Sequence, residues 1–424
     1  MPLSSFPLRL ALLTAGVVVG VASCGGSDVA GTSPAPSGPP PTATTSLAPG
    51  TTTVATVVDD GDRASVELPF DIAFLADVWP TNWARRTVEL DELKVGIRAL
   101  DPRDLIPPID DPVYEDVVAA DTWLEDREPG ILLSVAGDAS FFPIRILMSH
   151  EIVNDERGGV PFALTYCPLC NTAVAFDRRV GGDTLRFGVS GLLRNSDLVM
   201  WDDATVSLWQ QTTGEAIVGE LAGTQLTYLS TAVVRWADFK QTHPTGDVLS
   251  RESGPYTYGS NGYVGYSSRS EPYRPFFPGE VDDRFEALSR VVGVRVGEAA
   301  KAYPFGTVRD EGGAVNDELA GEPVVVLWGA ADTADPLDAG LIADGAAIGT
   351  GIAFLRTFAG QVLTFFANGD DTFTDAETGT TWSLLGVGLD GELSGRQLET
   401  AIHQNEFWFA WAAFNQGASV YGLD

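Results

Sequence analysis

Basic side chains, thiols and long apolar runs are all scarce in this chain, and each scarcity narrows what it can do. Lysine occurs only as Lys94, Lys240 and Lys301, and 26 Lys and Arg face 58 Asp and Glu, for a formal net charge of −32. A surface of that sign repels phosphate backbones and acidic headgroups, which argues against nucleic acid as a partner and against adsorption on anionic lipid. Histidine is limited to His150, His243 and His403, so base catalysis by imidazole has few candidates. No phosphate-binding glycine loop stands out, and no nucleotide cofactor is expected. Three cysteines, Cys24, Cys167 and Cys170, are too few for a disulfide framework.

The longest apolar run is at the start. Arg9 precedes the small, apolar stretch 10–21, which is shorter than a comfortable bilayer span and ends at Val21-Ala22-Ser23-Cys24. Small residues before a cysteine fit the narrow pocket of a lipoprotein signal peptidase. The expectation is a signal peptide over 1–23 and lipidation of Cys24, putting the body in the cell envelope, extracytoplasmic and anchored to the membrane through lipid. Residues 24–58 are mostly Gly, Ser, Pro, Ala and Thr, which cannot bury enough apolar surface to order themselves, and read as a flexible stalk.

The remainder repeats itself. Ser134-Val135-Ala136-Gly137-Asp138-Ala139 before Phe142-Pro143 is answered by Arg295-Val296-Gly297-Glu298-Ala299 before Tyr303-Pro304. Val153-Asn154-Asp155 before Pro161 is answered by Val315-Asn316-Asp317 before Pro323, Asp203-Ala204 with Trp209 by Asp375-Ala376 with Trp382, and Trp236-Ala237-Asp238-Phe239 by Trp411-Ala412-Ala413-Phe414. Four matches in one order point to two diverged copies of one β-rich unit. The division expected is an adapter over 59–130, a first copy over 131–252, a connection over 253–290 and a second copy over 291–424. Short β-branched or aromatic runs between turn residues predict strands near 131–135, 162–166, 173–176, 198–201, 324–328, 352–357 and 362–366. Helices are few, with candidates over 233–242 and 406–415. The fold class is therefore mainly β with a few short helices, as sandwich or barrel-like units. Asp155 and Asp317 read as turn-formers; Asp370, Asp371 and Asp375 resemble part of a calcium loop without its distal glutamate.

Chemistry concentrates at Cys167-Pro168-Leu169-Cys170, between two predicted strands, where a turn would face both sulfurs one way. His150 lies upstream. With Cys167 and Cys170 it makes a three-ligand set suited to copper or zinc, a fourth position being open or filled by Glu151, His243 or water. A structural disulfide, a redox pair, an unperturbed pair of thiols and an ordinary hydrogen-bonded histidine stand beside that reading. A redox pair wants a following helix N-terminus to lower its thiol pKa, and strand is predicted instead. Covalent haem needs His after the second Cys, where Asn171 stands; a zinc deaminase would need Pro before the pair rather than at Pro168. The second copy has Leu327-Trp328-Gly329-Ala330 opposite the cysteines, and the first carries six more residues between Phe187 and Asp203 than the second between Phe365 and Asp375. Packing residues persist in both copies of a duplication, whereas a site can survive in one, which marks Glu151, Arg194, Asn195 and Asp197 as a possible site loop.

His150-Glu151-Ile152-Val153-Asn154-Asp155, Thr165-Tyr166-Cys167-Pro168-Leu169-Cys170, Phe187-Gly188-Val189-Ser190-Gly191-Leu192, Leu208-Trp209, Thr213-Gly214-Glu215-Ala216 and Phe407-Trp408-Phe409-Ala410-Trp411 together resemble the bacterial family catalogued as domain of unknown function 3179. The resemblance runs from about Ile106 to the C-terminus. It implies an exported or membrane-associated protein with a shared Cys-Pro-Leu-Cys core, and it implies no reaction. Asn415-Gln416 depart from the His-Pro expected by analogy with His243-Pro244. The functional expectation is a soft-metal or thiol–disulfide protein acting through His150, Cys167 and Cys170; the competing class is a non-enzymatic surface-binding or scaffold protein with a structural disulfide, its protein or small-molecule partner unknown.

Overall fold

The computed structural model describes residues 56–61 and 66–423, all within one compact unit, Thr44–Asp424. The expected signal peptide, Cys24 and nearly all of the stalk lie outside the described residues. Strands make up 40% and helices 12%, so the mainly β expectation holds, and the sheets form a propeller-like ring rather than a sandwich or barrel. Among the described residues no helix is long and apolar enough to cross a membrane.

Two successive sheets of the ring build the site. The first is four-stranded, in the order Thr227–Leu229, Thr172–Asp177, Val160–Cys167, Ile152–Arg157. The second is seven-stranded. It runs from Val58–Asp59 and Arg85–Arg86 through Ala216–Val218, Leu208–Gln210, Asp197–Asp202 and Phe187–Arg194 to Leu93–Val95. The stretch read as an adapter thus supplies edge strands here, and Tyr114–Asp116 to a third sheet.

Two helices begin later than the sequence indicated. Thr231–Arg235 and Ile402–Phe407 are strands, and the helices are Trp236–Thr242 and Trp408–Phe414. Val233 and Val234 are spent in a ladder against Ile131 and Gly130, and Glu406 and Phe407 against Val291 and Arg290. β-Branched and aromatic residues such as Val233, Val234 and Phe407, at the start of a helical pattern, prefer that pleated partner surface. The predicted strand at 362–366 is broken between Gln361–Val362 and Phe365–Ala367.

Several polar arrangements occur twice. Asn154 donates to the Phe187 carbonyl (2.7 Å) and accepts from its N–H (3.0 Å), and Asn316 does the same with Phe365 at 2.9 Å and 2.9 Å. The indole of Trp209 donates to Asp202, and that of Trp382 to Asp375, both at 2.9 Å. The carboxylate that makes this bond beside Trp209 is Asp202 rather than Asp203, and Asp375 serves a buried tryptophan rather than a cation loop. Asp155 and Asp317 lie on strands, accepting from Tyr114 and Tyr303, rather than forming turns.

The cores join the halves. One cluster packs Cys167, Cys170, Trp209 and Tyr266 with Phe407 and Phe409, and another packs Phe141 and Trp236 with Ile352 and Trp382. Burial of this kind stabilises by roughly 25 cal/mol per Å² of apolar surface, so neither half can be removed without exposing the other.

Candidate metal centre

Two hairpin tips make the site. In the first, Cys167 pairs with Thr172 across the ladder, leaving Pro168, Leu169, Cys170 and Asn171 as the turn. Asn171 takes a left-handed φ of 54°, which asparagine tolerates better than most residues. Its side-chain oxygen accepts from the Tyr166 hydroxyl at 3.1 Å, and the Cys170 carbonyl accepts from Phe407 N at 2.9 Å. In the second tip Arg194 pairs with Asp197, so Asn195 and Ser196 form a two-residue turn, both left-handed with φ of 50° and 64°. Two positive φ values are what a tight hairpin with the native strand twist requires. Ser196 N donates to the Phe276 carbonyl (2.9 Å), which ties the tip to the connecting segment.

The tips bring the Cys167 and Cys170 sulfurs and an Asp197 carboxylate oxygen within 4.8 Å of one another, all three residues buried. The cysteines are free thiols. Asp197 Oδ2 accepts from Gln210 Nε2 (2.6 Å) and Thr212 N (3.0 Å), while Oδ1 is buried without a hydrogen-bond partner. Gln210 Oε1 in turn accepts from Arg194 (3.3 Å), whose guanidinium also bonds Glu92 at 2.8 Å. That chain fixes which end of the Gln210 amide faces Asp197, and so which carboxylate oxygen is left for the sulfurs.

Burial dominates the electrostatics. It pushes both thiols up, the opposite of an activated redox cysteine. It lifts Asp197 to about 7 against the opposing bonds from Gln210 and Thr212. Glu151 rises to about 8 through burial and the Asp197 charge, and Glu406 to about 8 through burial. The group holds protons in a place that a cation would neutralise.

His150 does not join the sulfurs. Its Nδ1 donates to the Pro107 carbonyl and its Nε2 faces the Tyr258 hydroxyl, each at 2.7 Å, so both ring nitrogens are engaged. Burial lowers its pKa, which keeps the ring neutral and makes Nε2 the acceptor. The expected ligand set is corrected accordingly: Asp197, read from the sequence only as part of the loop, stands with the cysteines. The helix Ile144–His150 ends in a left-handed Glu151 (φ 59°), and this reversal sends the two neighbours apart, the ring to Pro107 and the carboxyl toward Asp197. His243 packs on Phe239 at the end of its helix, and His403 bonds the Ala401 carbonyl; neither belongs to the group. Arg194 acts through Gln210, and Asn195 serves the turn. Gln210 and Thr212 went unnoticed because they arrive by ladder register, Val199 opposite Gln210, and not by any spacing.

A family model described as a protein of unknown function, DUF3179, matches residues 103–418. The chain belongs to this family. The DUF3179 stretch contains both hairpin tips, whereas Glu92, the outer anchor of Arg194, precedes it. No curated protein and no solved structure matches the chain.

Proposed function

We propose that this DUF3179 protein is an extracytoplasmic lipoprotein that holds one soft transition-metal ion, zinc or copper, through Cys167 Sγ, Cys170 Sγ and Asp197 Oδ1. The observation that carries the reading is the convergence of two thiols and an unpartnered, buried carboxylate oxygen within 4.8 Å. A buried polar atom without a partner is a deficit of about 1–3 kcal/mol, and a metal ion removes it. Two thiolates and a carboxylate favour zinc or copper(I) over hard cations. Binding displaces the two thiol protons to solvent, and below about pH 7 the Asp197 proton as well, so loading is weaker at low pH. Thiol–disulfide exchange fits less well: the sulfurs are 2% and 0% exposed, and the strand Thr172–Asp177 follows where an activating helix would be needed. The sequence at Cys24 supports the lipid anchor, and the paired hydrogen bonds of Asn154 and Asn316 and of Asp202 and Asp375 support reading 131–252 and 291–424 as diverged copies.

The test is metal content of full-length protein extracted from its native envelope without chelator. One equivalent of zinc or copper per chain, lost in Cys170→Ser with the fold retained, is the expected result. Metal-free protein whose two cysteines titrate only after reduction would replace this reading with a structural disulfide in a scaffold or binding protein.

A further inference from the structure

Asp197 is reached from the surface by a chain of hydrogen bonds, and the groups at its outer end give every link one direction. Glu92 Oε2 accepts from Arg194 Nε and Nη2 at 2.8 Å, Gln210 Oε1 accepts from Arg194 Nη1 at 3.3 Å, and Asp197 Oδ2 accepts from Gln210 Nε2 at 2.6 Å. The side chains of Glu92 and Arg194 are 35% and 19% exposed, whereas Gln210 and Asp197 are buried. Glu92 is itself held in place. Its Oε1 accepts from Glu89 N (3.0 Å), and the next residue, Leu93, pairs with Arg194 across the sheet. The Arg194 guanidinium also lies 5.6 Å from the ring of Phe414 in the last helix.

A glutamine amide has two ends of nearly the same shape and opposite polarity, so packing alone does not choose between them. Turned round, Gln210 would set a carbonyl oxygen against Asp197 Oδ2, which repels the carboxylate that a metal needs and favours the acid. A guanidinium carries donors and no acceptor, so it accommodates only the oxygen end of the amide. The Glu92 carboxylate aims that guanidinium through a charge-assisted bond. We propose that Arg194 and Glu92 are positioning residues of the metal centre, which lock the Gln210 amide with its N–H toward Asp197. This rests on the metal reading above. Glu92 precedes the stretch matched by the DUF3179 model, so the grip of this chain on its metal depends on the N-terminal segment as well as on the shared core.

The experiment uses the full chain. Zinc affinity is measured by competition with a chelator; in the cobalt(II) form, charge-transfer bands report the thiolates and ligand-field bands the whole ligand set. Arg194→Met should weaken zinc binding about tenfold to a hundredfold. Arg194→Lys should lose less, since its ammonium also donates to Gln210, and the exposed-end change Glu92→Ala should weaken binding in the same sense. In a Gln210→Ala background, Arg194→Met should cost nothing more, because the amide that it aims is gone. The ligand-field bands should move in Arg194→Met while the charge-transfer bands stay. Arg274→Met, which breaks an exposed pair with Glu271, should leave affinity and spectrum alone. Wild-type affinity in both Arg194→Met and Glu92→Ala would overturn the proposal while leaving the metal site intact, as would an equal loss with and without the Gln210 amide. A wild type that takes up neither zinc nor cobalt would overturn the metal reading and this inference together.

Discussion

Replacing Asp197 with Asn should make the empty protein more stable at alkaline pH while abolishing its metal uptake. Burial lifts this carboxyl from 3.8 to about 7. A group whose pKa is raised on folding contributes stability that is fully present below the unfolded value and is lost as pH rises through the folded one. At about 1.4 kcal/mol per pH unit, the loss in the wild type between pH 5 and pH 7 is about 3 kcal/mol, and it is complete by pH 8. An asparagine carbonyl can still accept from Gln210 Nε2 and Thr212 N, so the local bonds survive the change. Urea denaturation with chelator present, at pH 5 and pH 8, measures the difference directly. The variant should keep about 3 kcal/mol at pH 8 that the wild type loses; Glu151 and Glu406, also raised, leave both proteins a residual slope, smaller in the variant because the Asp197 charge that helps to raise them is gone. An Asp197→Asn variant with the wild-type pH slope, or one less stable at pH 8, would refute the claim that a buried, protonated carboxyl stands beside the sulfurs.

Gln210→Ala removes the donor that selects the Asp197 oxygen and should weaken zinc binding about tenfold to a hundredfold, read by chelator competition; unchanged affinity would show that Thr212 N suffices. His150→Ala should leave metal affinity within twofold, roughly, yet lower stability by about 1–3 kcal/mol because Pro107 O and the Tyr258 hydroxyl lose their partner, seen as a lower urea midpoint. Ser196→Gly relieves a left-handed φ and removes a buried hydroxyl without a partner, and should raise stability by about 1 kcal/mol in the same assay.

The mainly β class was legible because short runs such as 162–166 and 198–201 carry β-branched and aromatic residues between strong turn signals, and local preference there agrees with the fold. The ring was not legible, since it depends on how small sheets pack their apolar residues against one another, with Thr231–Arg235 and Ile402–Phe407 disguised by the helices that follow them. Cys167 and Cys170 announced themselves by spacing. Asp197 was reached only as part of extra chain, and His150 drew attention by residue type and proximity in sequence. One left-handed residue, Glu151, defeats that proximity, and no periodicity reports it.

X-ray absorption at the metal edge of the envelope-purified protein bears most directly on the central claim. Two sulfur scatterers near 2.3 Å with at least one oxygen or nitrogen at about 2.0–2.2 Å, the edge itself lost with the metal in Cys167→Ser and in Cys170→Ser, is the result expected for zinc. A shell of oxygen and nitrogen alone, unaltered by either substitution, would contradict it.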